Sequence, residues 1–296
     1  MKHKTVINTN NLASFLGKCG KLFFLILLLS ACTSKKKTDL QSLSLQGKVK
    51  QIIELQYRAV ERFGKVEKGA LYREEEWDMV MQFNENGYFS SICFLNSSGE
   101  EVGHTDYLYN AQNELIEASN YDAEGGFSDK NIYSYDDKGR VNQVIEVNRD
   151  GGLNGSVLTE YDDKIGQLTI SSYNAGGKLL KKELRTTDKN GFPIETIIYD
   201  AENQLLDHRK ECFNDKGLIE KLTVFSSERD ILMEVSFKYD KYDNMILQEG
   251  TDENGQKYLP TRYEYLFDKH GNWTKRIEYV GDEPTFVLER QIEYYE

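Results

Sequence analysis

Apolar and polar positions follow one another in a regular beat along most of this chain. Runs of about eight to ten residues rich in Ile, Val, Leu, Thr, Tyr and Phe, such as "GRVNQVIEVN" and "KLTVFS", are separated by short polar clusters. The clusters share one form, Asp or Asn followed three residues later by Gly, as in "NENG", "DKNG", "NDKG", "DENG" and "DKHG"; "NAQN" and "DAEN" end in Asn instead. The runs read as β-strands with imperfect alternation, and helix signals are nearly absent. In "YDDKGRV", Asp136 is suited to bond the backbone two residues on, and Gly139 supplies the positive φ that ends a type I turn with a G1 bulge. Asn is the next-best residue in that left-handed position.

The beat is periodic. Phe83, Tyr109, Tyr135, Tyr161, Thr187, Phe213 and Tyr239 stand 26 residues apart. Between them fall Tyr121, Val147, Tyr173, Tyr199, Phe225 and Thr251, each 12 residues after one member and 14 before the next. The chain therefore repeats a two-strand unit. Connections this short join antiparallel neighbours, so the array predicts an all-β, up-and-down meander. Sixteen or so turns between residues 84 and 282 give about 17 strands, and at ~4.8 Å each a flat sheet roughly 80 Å wide. Upstream, "GKVKQIIELQYRAV" (47–60) reads as a longer strand and "EEEWDMVMQF" (74–83) leads into the first phrase. Open sheets rarely exceed ~10 strands without curling, so strand twist predicts a twisted ribbon or partial shell.

The N-terminus breaks the pattern. Lys2, Lys4, Lys18 and Lys21 precede or flank an apolar run, "LFFLILLL" (22–29), too short to span a bilayer and fitting a signal-peptide core. It ends in Leu29-Ser30-Ala31-Cys32, which resembles a bacterial lipobox. The resemblance implies that residues 1–31 are a lipoprotein signal peptide and that Cys32 carries lipid. Residues 32–46 are then a polar tether, and 47–296 the β domain. The implied address is the outer membrane, with the membrane itself a partner through the anchor. Thr33 follows Cys32 with no acidic residue before Asp39, which favours the periplasmic side.

Charge narrows the partners. The formal net charge is −12, and −16 without the four lysines of residues 1–31, so nucleic acid is excluded as a partner. Apolar residues make up 39%, yet 19 Tyr and 14 Phe set the chain apart from disordered sequences. Of four cysteines, Cys93 and Cys212 remain beyond the anchor, about nine strands apart in a meander, and are expected as two buried free thiols.

Candidate chemistry is sparse. His104, His208 and His270 stand isolated, with no spacing that would hold zinc or build a triad. No pair stands out among the 49 carboxylates for glycoside hydrolysis. The Asp-x-x-Gly turns could gather calcium, but their spacing matches neither the EF-hand loop nor the glycine-rich calcium repeat. No catalytic residue, metal site or cofactor is therefore expected, and no enzyme. Tyr109, Tyr135, Tyr161 and Tyr239 recur once per unit and should form a ladder. Such rings offer flat faces to a sugar or peptide, or pack unit against unit; the packing reading is favoured because repeats need contacts between units.

"YSYDDKGRV" (133–141) resembles the Rhs/YD repeat almost residue for residue, with "YEYLFDKHGNW" and "SFKYDKYDNM" as looser copies. With the lipobox and the leading "LQGKVKQI", the chain is similar to short Rhs-repeat-like lipoproteins of Bacteroidota envelopes. In the large members such repeats spiral into a hollow cocoon around a toxin; here the expectation is a member without toxin domain or self-cleaving module. Composition and resemblance together predict a non-catalytic binding or interaction module for a glycan, peptide or partner protein. The alternative is an immunity or carrier lipoprotein related to Rhs-type toxin systems.

Overall fold

The Asx chemistry of the polar clusters forms as the sequence requires. In the computed structural model, which describes residues 37–72, 78–96 and 98–296, Asp136 Oδ1 accepts hydrogen bonds from the Lys138 and Arg140 amides, both at 2.9 Å. The turn is closed by Gly139 N–H to Asp136 O at 3.0 Å and Asp136 N–H to Arg140 O at 2.8 Å, with Gly139 at φ +73°. Asn113 and Asn203 take the same left-handed position at φ +58° and +61°. The register shifts beside these turns, as between Ser134 and Tyr135, which is the G1 bulge.

Two glycines separate the backbone requirement from the space around it. Gly177 has φ +74° and nothing within 4 Å of an added Cβ, whereas at Gly217 (φ +80°) that carbon would lie 2.5 Å from Phe192 Cε1. Gly177→Ala is expected to cost ~1 kcal/mol, the left-handed penalty alone. Gly217→Ala adds a ring displacement and should lower the urea midpoint at least twice as far.

Among the described residues, nineteen strands run from β1 (Val49–Arg62) through β2 (Lys65–Leu71) and β3 (Asp78–Phe83) to β19 (Glu283–Tyr294). From β3 onward successive strands pair antiparallel, as the meander requires, while β2 and β3 each pair with β1. The open ribbon or partial shell is corrected, because the sheet closes into an 18-strand barrel. β1 supplies the closure: Ile52 faces Ile292 of β19 on one side and Met81 of β3 on the other. Beyond residue 56, β1 outruns β3 and folds back on β2, from Tyr57↔Leu71 to Arg62↔Lys65. A bulge at nearly every hairpin adds right-handed twist, so the curvature needed for closure is distributed round the ring.

Register divides the wall into a lumen face and an outer face. The lumen face holds Ile52, Met81, Phe83, Phe89 and Ile92, buried in one apolar cluster, and Leu222, Val224, Met233 and Val235, buried in another. The outer face carries ion pairs, among them Lys130–Glu117 at 2.8 Å, Lys221–Glu234 at 2.5 Å and Lys68–Glu289 at 2.6 Å. A lipid-spanning barrel turns an apolar band ~25 Å tall outward, so a wall charged in this way faces water.

The tether expected over 32–46 also needs correction where it is described. Thr38 caps a short helix, α1 (Asp39–Ser42), through a capping box with Gln41, and Leu40 and Leu45 are buried against the first apolar cluster. Leu40 N–H donates to Gly87 O at 3.1 Å, Gln46 N–H to Asn272 Oδ1 at 2.7 Å, and Lys37 Nζ to Lys216 O at 3.3 Å. Those acceptors lie at three different hairpins of one rim, so the segment is laid across that end of the barrel. Two leucines facing the cluster explain why it docks. Cys32 and the signal segment lie outside the described residues.

Candidate functional site

The tyrosine ladder follows the 26-residue period into a specific bond. Tyr135 Oη–H donates to Leu115 O at 2.8 Å, Tyr161 to Val141 O at 2.9 Å and Tyr239 to Ile219 O at 2.8 Å, each reaching 20 residues back into the preceding unit. The Tyr109 ring packs on Tyr88 with centroids 5.3 Å apart. Two further tyrosines belong to this set. Tyr265, one period after Tyr239, donates to Met245 O at 2.6 Å, and Tyr295 donates to Phe83 O at 2.6 Å across the closure seam. Burial pushes the Tyr239 and Tyr265 hydroxyls up to about 12.

Cysteine and histidine give no common site. Cys93 and Cys212 are both free; Cys93 is half-buried and Cys212 exposed on the outer face, which corrects the expectation of two buried thiols. His208 is buried against Glu195 and Phe225, the half-buried His104 contacts Glu101 and Tyr121, and the His270 ring centroid lies 4.1 Å from that of Tyr294. Among the described residues no group of three or more His, Cys, Asp or Glu is placed to hold a metal ion. The turn carboxylates engage their own backbone.

The polar chemistry gathers in the lumen. On β11 (Leu179–Thr187), β12 (Pro193–Asp200) and β13 (Leu205–Phe213), register aligns Arg185 with Thr196 and Thr196 with Arg209, and Glu183 with Ile198 and Ile198 with Asp207. Arg185 Nε donates to Glu183, and Arg209 bonds Asp207 at 2.7 Å and Glu211 at 3.3 Å. Burial raises the Glu211 carboxyl above its ordinary value of 4.5, more than the attraction of Arg209 and Arg185 lowers it. The folded state therefore holds this proton more tightly than the unfolded chain. Stability from this group is complete below pH 4.5 and is lost as pH rises through the folded value. Glu211→Gln should remove that fall, leaving the variant more stable relative to the parent at pH 7 than at pH 4 in paired urea titrations.

A second polar sector lies on β17 (Thr261–Phe267), β18 (Trp273–Val280), β19 and β1. Arg290 Nε donates to Glu54 at 2.6 Å, and its guanidinium lies 3.5 Å from the Trp273 ring centroid. Arg276 stands 5.2 Å from the Tyr263 ring and 5.6 Å from Trp273. Burial pushes the Tyr263 hydroxyl well above its usual range and pulls Arg290 down, with Arg276 adding like-charge repulsion. Three buried side-chain atoms lack a hydrogen-bond partner among the described residues: Asn142 Oδ1, Thr196 Oγ1 and Arg276 Nε. By register, all three belong to the lumen face.

The patterning of β11 explains why the sequence did not reveal these clusters. Glu183 and Arg185 turn inward and are buried, while Leu180, on the opposite parity, is exposed. A reader who assigns leucine to the inside inverts this strand.

No family model matches the chain, and no curated protein matches it. Among solved structures it is similar to a porin-like protein from Bacteroides uniformis, at 10% identity over 84% of this chain and 98% of that chain, TM-score 0.31. A porin-like protein from Bacteroides vulgatus gives 9% identity over 83% and 98%, TM-score 0.32. A TcdB2–TccC3 structure gives 12% identity over 79% of this chain and 15% of that one, TM-score 0.26. Likenesses at these TM-scores carry no argument about what this chain does.

Proposed function

We propose that the chain is a lipid-anchored envelope protein, held through Cys32, whose barrel is a non-catalytic module that binds a hydrophilic ligand, a glycan, in its lumen. One observation carries the reading: the buried polar atoms without partners, Asn142 Oδ1, Thr196 Oγ1 and Arg276 Nε, all sit on the lumen face, the last beside aromatic rings, while ion pairs line parts of the outer wall. Aromatic faces and fixed hydrogen-bonding groups are what a sugar ring needs.

Lys37 lies five positions after Cys32, a reach of at most ~18 Å. The end crossed by α1 would then lie toward the bilayer, and ligand would enter from the opposite end. The test is a glycan array probed with the protein in detergent, alongside the same protein carrying Arg209→Met and Glu211→Met in the lumen. Binding by the parent and altered binding by the lumen variant support the reading; an array with no signal for the parent refutes it. Protease treatment of intact cells checks the periplasmic address, since a domain shaved from intact cells faces outward.

A further inference from the structure

The lumen sector around Arg276 differs from the other arginine sites in one respect. Arg185, Arg209 and Arg290 each bond a carboxylate in their own sector. Arg276 has no salt bridge among the described residues; it lies beside the rings of Tyr263 and Trp273 and the Tyr265 hydroxyl, with Glu54 and Glu278 attracting it from farther off. Its Nε is buried and has no acceptor. A guanidinium donor enclosed without an acceptor is costly, because Nε has lost water and gained nothing. Arg290 repels it, and the two glutamates that attract it, Glu54 and Glu278, are bonded to Arg290 and Thr285 instead, so Nε is left for an acceptor from outside the chain.

We infer that Arg276 receives the carboxylate of a hexuronic acid unit in an acidic glycan. The inference rests on the reading of the lumen as a ligand site and names the ligand class. A guanidinium presents a planar fork that matches a carboxylate in shape. Tyr263 and Trp273 beside it supply the apolar faces on which a pyranose ring packs. Glu54 and Glu278 act on Arg276 from the same sector, which therefore carries two cations and two anions. That balance suits a singly charged ligand and disfavours phosphate or sulfate, whose second charge meets the two glutamates. Glu278 accepts from the Thr285 hydroxyl at 2.8 Å and is placed to accept from sugar hydroxyls as well.

The chain has two tryptophans, Trp77 and Trp273, so Trp77→Phe leaves Trp273 as a reporter within the proposed site. The detergent-solubilised lipidated protein is titrated with galacturonate, galactose and inorganic phosphate, with and without Arg276→Gln, and fluorescence is followed. Arg276 bonds no carboxylate directly and Tyr265 keeps its bond to Met245 O, so Arg276→Gln breaks no ion pair and the variant is expected to fold. Galacturonate should bind at least tenfold more tightly than galactose and phosphate, and Arg276→Gln should erase the difference, the loss expected of one charge-assisted contact, about 10- to 100-fold. Equal binding of galacturonate and galactose overturns the uronate assignment and leaves lumen glycan binding standing. A uronate preference that survives Arg276→Gln, or tighter binding of phosphate, likewise overturns the inference alone. No saturable response to any sugar overturns both.

Discussion

Ile52→Asp is expected to abolish the cooperative fold. Ile52 is completely buried on the lumen face of the strand that seals the barrel, between Ile292 and Met81, and belongs to the cluster that includes Leu40 and Phe83. A carboxylate there loses the isoleucine's burial and places a charge without a partner, an effect above ~4 kcal/mol. That is a large share of the ~5–15 kcal/mol of a typical native state. Ile52→Ala, which only deletes volume, should cost about 2–5 kcal/mol. The neighbour Ile53 faces the opposite side and is half-buried, so Ile53→Asp should cost far less. Near-UV circular dichroism and urea unfolding of the three variants check this, and equal loss for the aspartates at 52 and 53 would falsify the division into lumen and outer faces.

The same strand shows where sequence reading ends. Turns, bulges and the 26-residue period were legible because each depends on a few adjacent residues: Asp136 bonds its own loop, and Gly139 holds its own φ. Closure depends on Ile52 meeting Ile292, and backbone pairing at that range leaves no local signature. The lumen was hidden for another reason. Tyr107 and Tyr109 share the inward parity while Leu108 is exposed, and β11 inverts in the same way, so hydrophobicity alone assigns the wrong face. Tyr265 kept the period and could have been found. Its turn begins at Asp268, later than the spacing of the earlier units requires, which hid the step. Docking of α1 was announced by Leu40, Leu43 and Leu45 in a segment otherwise polar enough to read as a tether.

The second large effect concerns Arg290 and Glu54, whose side chains are 11% and 17% exposed and therefore outside the class of surface pairs that contribute little. Removing one partner from a buried pair leaves an uncompensated charge, at a cost of about 3–5 kcal/mol. Glu54→Met should fall at the upper end, because Arg290 would then face Arg276 with its nearest counter-charge gone. Arg290→Met should cost less: Glu54 keeps an attractive neighbour in Arg276, and methionine still covers the face of Trp273. The double substitution removes both desolvated charges at once and should recover much of what Glu54→Met loses, giving a coupling of several kcal/mol in a double-mutant cycle. Additive losses would mean that the two side chains are solvated separately. Substantial coupling, with Glu54→Met the weaker single variant, is the outcome that a closed lumen with its own electrostatics requires, since only an enclosed site makes the loss of one carboxylate so much worse than the loss of both charges.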